Sequence, residues 1–219
     1  MSGQNVFGPV WTLGAIKRPL ITHLRLWLPD YLREVERAEG MRPDGRGGWV
    51  EHEAGTVDLP KSWRRTNGDV RKWPEDQLPA VLIGLPGLTA DGVRIDGRHH
   101  VHETHVLALS AMVGGRDYEA TEWLSGVYVA ALELLMIQQP NVAGLPIERL
   151  TYADKAHDVL PDSERSRTLV AGTATFTFEL RDVADASAGP IEPSEDPVPD
   201  PGAFPEVEDT EIEIERSAI

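Results

Sequence analysis

The densest concentration of potential metal ligands and proton carriers in the chain is His99-His100-Val101-His102-Glu103-Thr104-His105. Imidazole nitrogens bind transition metals and change charge near neutral pH, so four of them within seven residues raise both chemistries. On a strand, side chains alternate, which puts His100 and His102 on one face and His99 and His105 on the other. Each face then offers two imidazoles, with Glu103 placed to join His105. The zinc-protease pattern needs two histidines four apart on a helix, whereas His102 and His105 are three apart in a strand-like segment. A polar, partly exposed strand start fits the same residues, and so does a metal or pH-sensitive contact. The former needs no convergence of side chains, and no metal ligand is assigned.

Other catalytic chemistry finds little footing. There is no cysteine, hence no thiolate nucleophile, no disulfide and no cysteine-based zinc site. The glycines at 45–48 are not followed by Lys-Ser or Lys-Thr, and Gly84-Leu85-Pro86-Gly87 leads into no helix signature, so neither reads as a phosphate loop. A Gly-x-Ser-x-Gly elbow is missing, and no pair among the many carboxylates stands out. The expectation is a protein that is not an enzyme, with no catalytic residue and no cofactor.

Two aromatic-basic pieces, Trp63-Arg64-Arg65 and Arg71-Lys72-Trp73, could stack on nucleic acid. They could equally anchor a protein interface, where Trp and Arg are enriched, or stand in a solvated loop. The formal charge of −15 favours protein over phosphate as a partner. That charge is unevenly spread. Residues 185–219 hold eleven acidic residues and one basic residue, Arg216, a net of −10, which leaves −5 for residues 1–184. This last stretch is also Pro-rich and too poor in apolar groups to fold alone. Within it, Glu211-Ile212-Glu213-Ile214-Glu215 alternates like a strand, so Ile212 and Ile214 are candidates for an arm that adds to a neighbour's sheet edge. An acidic tail without structure is the plainer alternative.

The elements that would position these groups can be read from periodicity. Leu20, Leu24, Leu28, Leu32 and Val35 form a helical stripe; Pro19 suits a first turn, Pro29 should kink the helix, and Gly40 should stop it. Residues 40–77 read as a long irregular insertion, with a short hairpin around residues 49–59. Residues 80–85 predict a strand buried on both faces, and residues 98–113 a longer one with Val101, Leu107, Leu109 and Ala111 on one face and Val106, Ala108 and Met112 on the other. Asp117 caps a helix ending near Gln139, before Pro140. This helix is apolar on two sides: Trp123, Val127, Ala131 and Leu134 share one, and Leu124, Tyr128, Leu132 and Leu135 another. It needs two covers, one the sheet, the second another helix or a neighbouring subunit. Leu124, Tyr128, Leu132 and Leu135 are therefore candidate subunit-interface residues. A hairpin follows, with its turn at residues 160–164 and a return arm that points Val170, Ala174, Phe176, Phe178 and Leu180 inward and Thr173, Thr175, Thr177 and Glu179 outward. Trp63, Arg64, Arg65, Asp162 and Glu164 are candidate contact-loop residues. The expected class is α/β (α+β): a mixed or antiparallel sheet packed by an N-terminal helix and a long central helix, with the domain at 1–184 and an acidic extension at 185–219. No run of apolar residues approaches the ~20 that cross a bilayer, so no membrane partner is expected. Residues 1–8 carry neither a basic cluster nor an apolar core, so folding in the cytoplasm is expected.

The order helix, long loop, buried strand, long strand, apolar helix, hairpin resembles the tail-terminator family of long-tailed (siphovirus-type) bacteriophages. Pro79-Ala80-Val81-Leu82-Ile83 and Thr175-Phe176-Thr177-Phe178-Glu179 carry that likeness in the strands. Phe7-Gly8-Pro9-Val10-Trp11, with Leu20-Ile21-Thr22-His23-Leu24, looks like terminators of phages that infect mycobacteria and related actinobacteria. The likeness spans residues 7–184; the insertion at 40–77 and the acidic extension exceed the smaller members. It implies a structural virion protein at the tail–neck junction, forming a six-membered ring that stops tube polymerisation. Its partners would be the tail tube protein and a head–tail connector or stopper protein; the acidic balance of the chain adds the expectation that DNA passes through such a ring without specific binding. Another head–tail connector or stopper ring protein, or a His-liganded metal-binding protein, are the alternatives.

Overall fold

A computed structural model describes residues 12–64, 73–96, 100–162 and 167–185. Helix α1 (Leu13–Glu39) begins earlier than the stripe from Leu20 suggests, because Thr12 caps it: its hydroxyl accepts the Ala15 amide at 3.2 Å. Pro19 consequently lies inside the helix rather than in its first turn, and Pro29 neither ends nor restarts it. Each interior proline costs roughly 3 kcal/mol. Fully burying one leucine is worth about 1.5–3 kcal/mol, and Ile16, Leu20, Leu24, Leu28 and Leu32 are all buried along this helix. Packing of that stripe outweighs the lost backbone bonds. Gly40 ends α1 in the left-handed conformation (φ 65°), with its amide on the Glu36 carbonyl at 3.0 Å.

The insertion is more ordered than its composition suggests. Strands β1 (Met41–Pro43) and β2 (Trp49–Glu51) form a small antiparallel hairpin, displaced from the expected 49–59. Asp44 makes the turn: its carboxylate accepts the Arg46 and Gly48 amides at 2.7 and 2.9 Å, and Gly45 and Gly47 take positive φ. These two bonds hold the Asp44 carboxyl below its ordinary pKa. Strand β3 (Ser62–Arg64) follows, then a 3-10 turn at Glu75–Gln77.

The main sheet contains β4 (Ala80–Ile95), β5 (His100–Gly115), β6 (Ile147–Asp162) and β7 (Arg167–Asp185), in the order β3-β4-β5-β7-β6. Every pairing is antiparallel except the short parallel contact of β3 with β4. The class is α+β with a mixed sheet, as the alternation predicts. The expected two-faced burial of residues 80–85 also holds, apart from the partly exposed Gly84, but β4 continues for ten residues past it through register shifts after Gly84 and Leu88.

Helix α2 (Tyr118–Gln138) starts at Asp117, whose carboxylate accepts the Ala120 amide at 3.1 Å. It lies against one face of the sheet, where its Ser125 and Val129 abut Gly172 of β7. Its other side meets α1: the His23 Nε2–H donates to the Gln139 carbonyl at 3.0 Å and the Tyr31 hydroxyl to Gln138 Oε1 at 3.1 Å. The main core thus joins α1, α2 and the helix-facing residues Val81, Ile83, Leu107, Leu109, Ala111, Val170, Ala174, Phe176 and Phe178. By length and mean hydropathy (1.4) α2 could cross a bilayer; here about half of it is buried within the chain, and Leu134 and Ile137 are exposed. On the sheet's opposite face a smaller cluster of Trp73, Leu78, Ala80, Leu82, Met112 and Leu169 covers one end.

Two measurements follow from this packing. A Cβ on Gly172 would stand 2.2 Å from Val129 Cγ2 and 2.7 Å from Ser125 Oγ, so Gly172→Ala must push α2 off the sheet. Urea unfolding should show a loss of about 1–3 kcal/mol, the usual cost of overpacking. Gly84→Ala, where the Cβ would meet Ala108 at an ordinary 3.4 Å, should be neutral or gain up to ~1 kcal/mol. Burial lowers the His23 pKa below 6.5, against the opposing bond to Gln139. The unfolded chain therefore takes up this proton more readily, and the stability this histidine contributes, present above 6.5, is lost as pH falls through the lowered value. His23→Gln should flatten the stability profile between about pH 7.5 and 5.5; an unchanged slope would contradict it.

Candidate functional site

The four helix residues expected at a subunit interface are largely spoken for. Tyr128, Leu132 and Leu135 are fully buried within the chain, because α1 supplies the second cover that α2 needs. Only Leu124 is partly exposed; it lines a cleft of about 320 Å³ with Val57, Asp58 and Trp123. The Tyr128 hydroxyl donates to the Asp58 carbonyl, so this residue also ties the insertion to α2. Burial, with Asp58 and Glu36 nearby, raises its pKa and keeps the phenol protonated.

The apolar residues left in solvent on the helix layer are different ones. Leu26 and Trp27 on α1 and Leu134 and Ile137 on α2 are exposed. Trp27 sits one turn before Tyr31, and Leu134 one turn before Gln138, so each helix carries an exposed apolar residue within a turn of the α1–α2 contact. Periodicity puts Leu134 on an apolar side with Trp123, Val127 and Ala131; of these Leu134 is exposed, whereas Val127 and Ala131 are buried.

Trp63 and Arg64 are likewise not free loop residues. They form β3, where the Arg25 guanidinium lies 5.5 Å from the Trp63 ring and the Arg64 guanidinium 5.1 Å from the Trp73 ring. Arg64 also donates to Gln77 Oε1. Both are half-buried and serve to pin the insertion to the sheet edge, a correction that follows from β3 pairing with β4. Asp162 ends β6 opposite Arg167. Arg65, Glu164, Ile212 and Ile214 lie outside the described residues.

One buried carboxylate organises the insertion. Glu36 Oε1 is 2.7 Å from His52 Nε2 and accepts the Val57 amide at 2.9 Å, while Oε2 accepts the Gly55 amide at 2.8 Å. Both side chains are almost wholly enclosed, and Trp123 lies edge-on to His52 with centroids 5.0 Å apart. In the sequence Glu36 is one of several charged residues near the end of α1. Its role was hidden because its partners lie sixteen to twenty-one residues onward.

The histidine segment divides as alternation predicts. His105 faces the core side, stacked on Phe178 at 5.4 Å and 2.9 Å from Glu103 Oε2. His100 and His102 both lie near Asp96, and His100 Nδ1 is 3.0 Å from Asp182 Oδ1. His99 is outside the described residues. The face carrying His102 is the open side of the sheet, with a cleft of about 330 Å³ lined by Thr104, Arg149, Thr151, Thr177 and Glu179. The Arg94 guanidinium donates to Glu179 at 2.8 Å, and that of Arg181 to Glu148.

At the sheet edge, β6 presents an unbroken exposed run from Ala153 to Val159. It carries Asp154, Lys155, His157 and Asp158, the kind of charged edge that discourages uncontrolled pairing. Comparison with known proteins finds no family model that matches the chain and no similar curated protein.

Replacing Glu36 by Ala should strip three donors of their acceptor and cost about 3–5 kcal/mol, as removal of a buried charged hydrogen-bonding partner does. Amide exchange at Gly55 and Val57 should accelerate more than at Leu132. Uniform acceleration, or wild-type stability, would contradict the clamp.

Proposed function

We propose that this chain is a tail terminator of a long-tailed bacteriophage, a non-enzymatic ring subunit that caps the tail tube, stops its polymerisation and offers a joining surface to the head connector. The observation that carries the reading is the order of elements: α1, insertion, the β4–β5 hairpin, α2, the β6–β7 hairpin. It is the order in which the sequence resembles that family. Six identical subunits in a closed ring need two unlike patches on each subunit. Two surfaces suit that requirement: the exposed apolar group Leu26, Trp27, Leu134 and Ile137 on the helix layer, and the β6 edge on the far side of the sheet order. Tail tube protein and a connector or stopper protein would occupy the ring's two ends.

DNA would pass without being held. A net negative lining repels phosphate over about a Debye length, ~8 Å at physiological salt. Arg64 is engaged by Gln77 and Trp73, which removes one of the basic residues that could have gripped a duplex.

Deleting the gene should yield tails of irregular or excessive length that fail to join filled heads. Imaging of intact virions should place six copies at the tail–neck junction. Normal tails joined to heads in the deletion, or a single copy in the particle, would overturn the proposal. A ring found at the neck but not against the tube would favour a connector or stopper instead.

A further inference from the structure

The open face of the sheet holds a convergence that alternation alone does not produce. His102 lies in β5 where its pairing with β7 slips: Val101 faces Ala184, yet Glu103 faces Leu180. Glu148 is the extra residue of a bulge in β6, between Ile147 opposite Leu180 and Arg149 opposite Glu179. Both irregularities meet at Leu180, and bulges of this kind re-aim side chains. Their effect is to bring one ligand atom each of His102, Glu148 and Glu179 within 4.8 Å of one another, from three strands.

His102 is the informative member. It is 6% exposed, and neither ring nitrogen has a hydrogen-bond partner. A buried imidazole left without partners is destabilising, because its nitrogens have lost water and gained nothing in return. Asp96 Oδ2, 3.5 Å from Nε2, stands beside it without closing a bond of good geometry. Two glutamates so near each other also need a counter-charge, which Arg94 and Arg181 supply from the solvent side, with about two-thirds and half of their side chains exposed.

We propose that His102, Glu148 and Glu179 form a binding site for a first-row divalent ion of the zinc class. One imidazole and two carboxylates are the donors such an ion takes, with metal–ligand distances of about 2.0–2.2 Å. Ligand atoms around one ion then stand roughly 3.3 Å apart. The ligand atoms lie within 4.8 Å of one another, so closing the site takes at most about 1.5 Å of approach, which Glu148 and Glu179 can make as Arg94 and Arg181 swing into solvent. The ion replaces the two guanidinium charges and satisfies the imidazole. It would clip β5, β7 and the edge strand β6 together at the base of the β6–β7 hairpin. This assignment stands on side-chain geometry and is independent of the virion role.

The test uses the full chain, stripped with chelator and titrated with Zn²⁺, then with Co²⁺ as a visible probe. One ion per chain should be retained through gel filtration, and Co²⁺ should give the visible absorption of a low-coordinate site. Glu148→Gln, at a partly exposed edge position, should weaken binding at least ~10-fold while leaving the thermal unfolding of the metal-free protein nearly unchanged. His102→Gln should weaken it at least as much. No retained ion, or Zn²⁺ affinity unaltered in both variants because other histidines hold it, would overturn the site.

Discussion

A helix that is apolar around most of its circumference cannot rest on a sheet alone, and α2 imposes that condition on everything near it. Its Ser125–Val129 side sits on β7 so closely that only glycine fits at position 172. Its opposite side must then be covered, and α1 does so with the stripe from Ile16 to Val35. The need is strong enough that α1 keeps helical geometry through two prolines. Antiparallel packing follows from the contacts at both ends: His23 and Tyr31 meet the C-terminal turn of α2, while Glu36, through His52, reaches Trp123 near its start.

The insertion is a consequence of the same condition. In its N-terminal half α2 would expose Trp123, Leu124 and Tyr128; the segment from Gly40 to Asp58 packs beside them, enclosing Tyr128 and leaving Trp123 and Leu124 partly exposed. A segment this short in apolar residues cannot hold itself by burial, so it is held by polar anchors instead. Glu36 takes two of its amides and its histidine; Tyr128 takes the Asp58 carbonyl. Buried polar groups of this kind fix position because each leaves an unsatisfied partner if displaced.

Features carried by local spacing were legible in the sequence. The return arm of the β6–β7 hairpin alternates as read, Gly40 and Asp117 cap as read, and His102 and His105 take opposite faces. What escaped were arrangements made across distance. The periodicity of α2 shows two apolar sides but leaves open whether another helix or a neighbouring subunit covers the second, so Tyr128, Leu132 and Leu135 stand as candidate interface residues until α1 is seen to bury them. The Trp-Arg pieces looked like loop contacts because nothing local marks residues 62–64 as a parallel partner of β4. The His102–Glu148–Glu179 convergence depends on two bulges whose presence is set by pairing register, which a single strand's alternation does not encode.

The two faces of the sheet have opposite characters, and this bears on how copies of the chain could assemble. One face is covered by helices over its centre, with Leu88, Val93 and Ile95 of β4 left exposed; the other is closed at one end by the Trp73 cluster and left polar at its other end. In the proposed ring, contacts therefore fall to the edge strand β6 and to the apolar residues flanking the α1–α2 seam. The edge is charged, with Lys155 already 3.7 Å from Glu133 of α2, so it resists pairing with an arbitrary strand. The four exposed apolar residues beside the seam make a small patch, and the other exposed apolar side chains, among them Leu88, Val93 and Ile95 of β4, lie on other elements. Both properties suit a subunit that stays apart until a tube end holds its copies side by side, when weak contacts act together and effective concentration replaces intrinsic affinity.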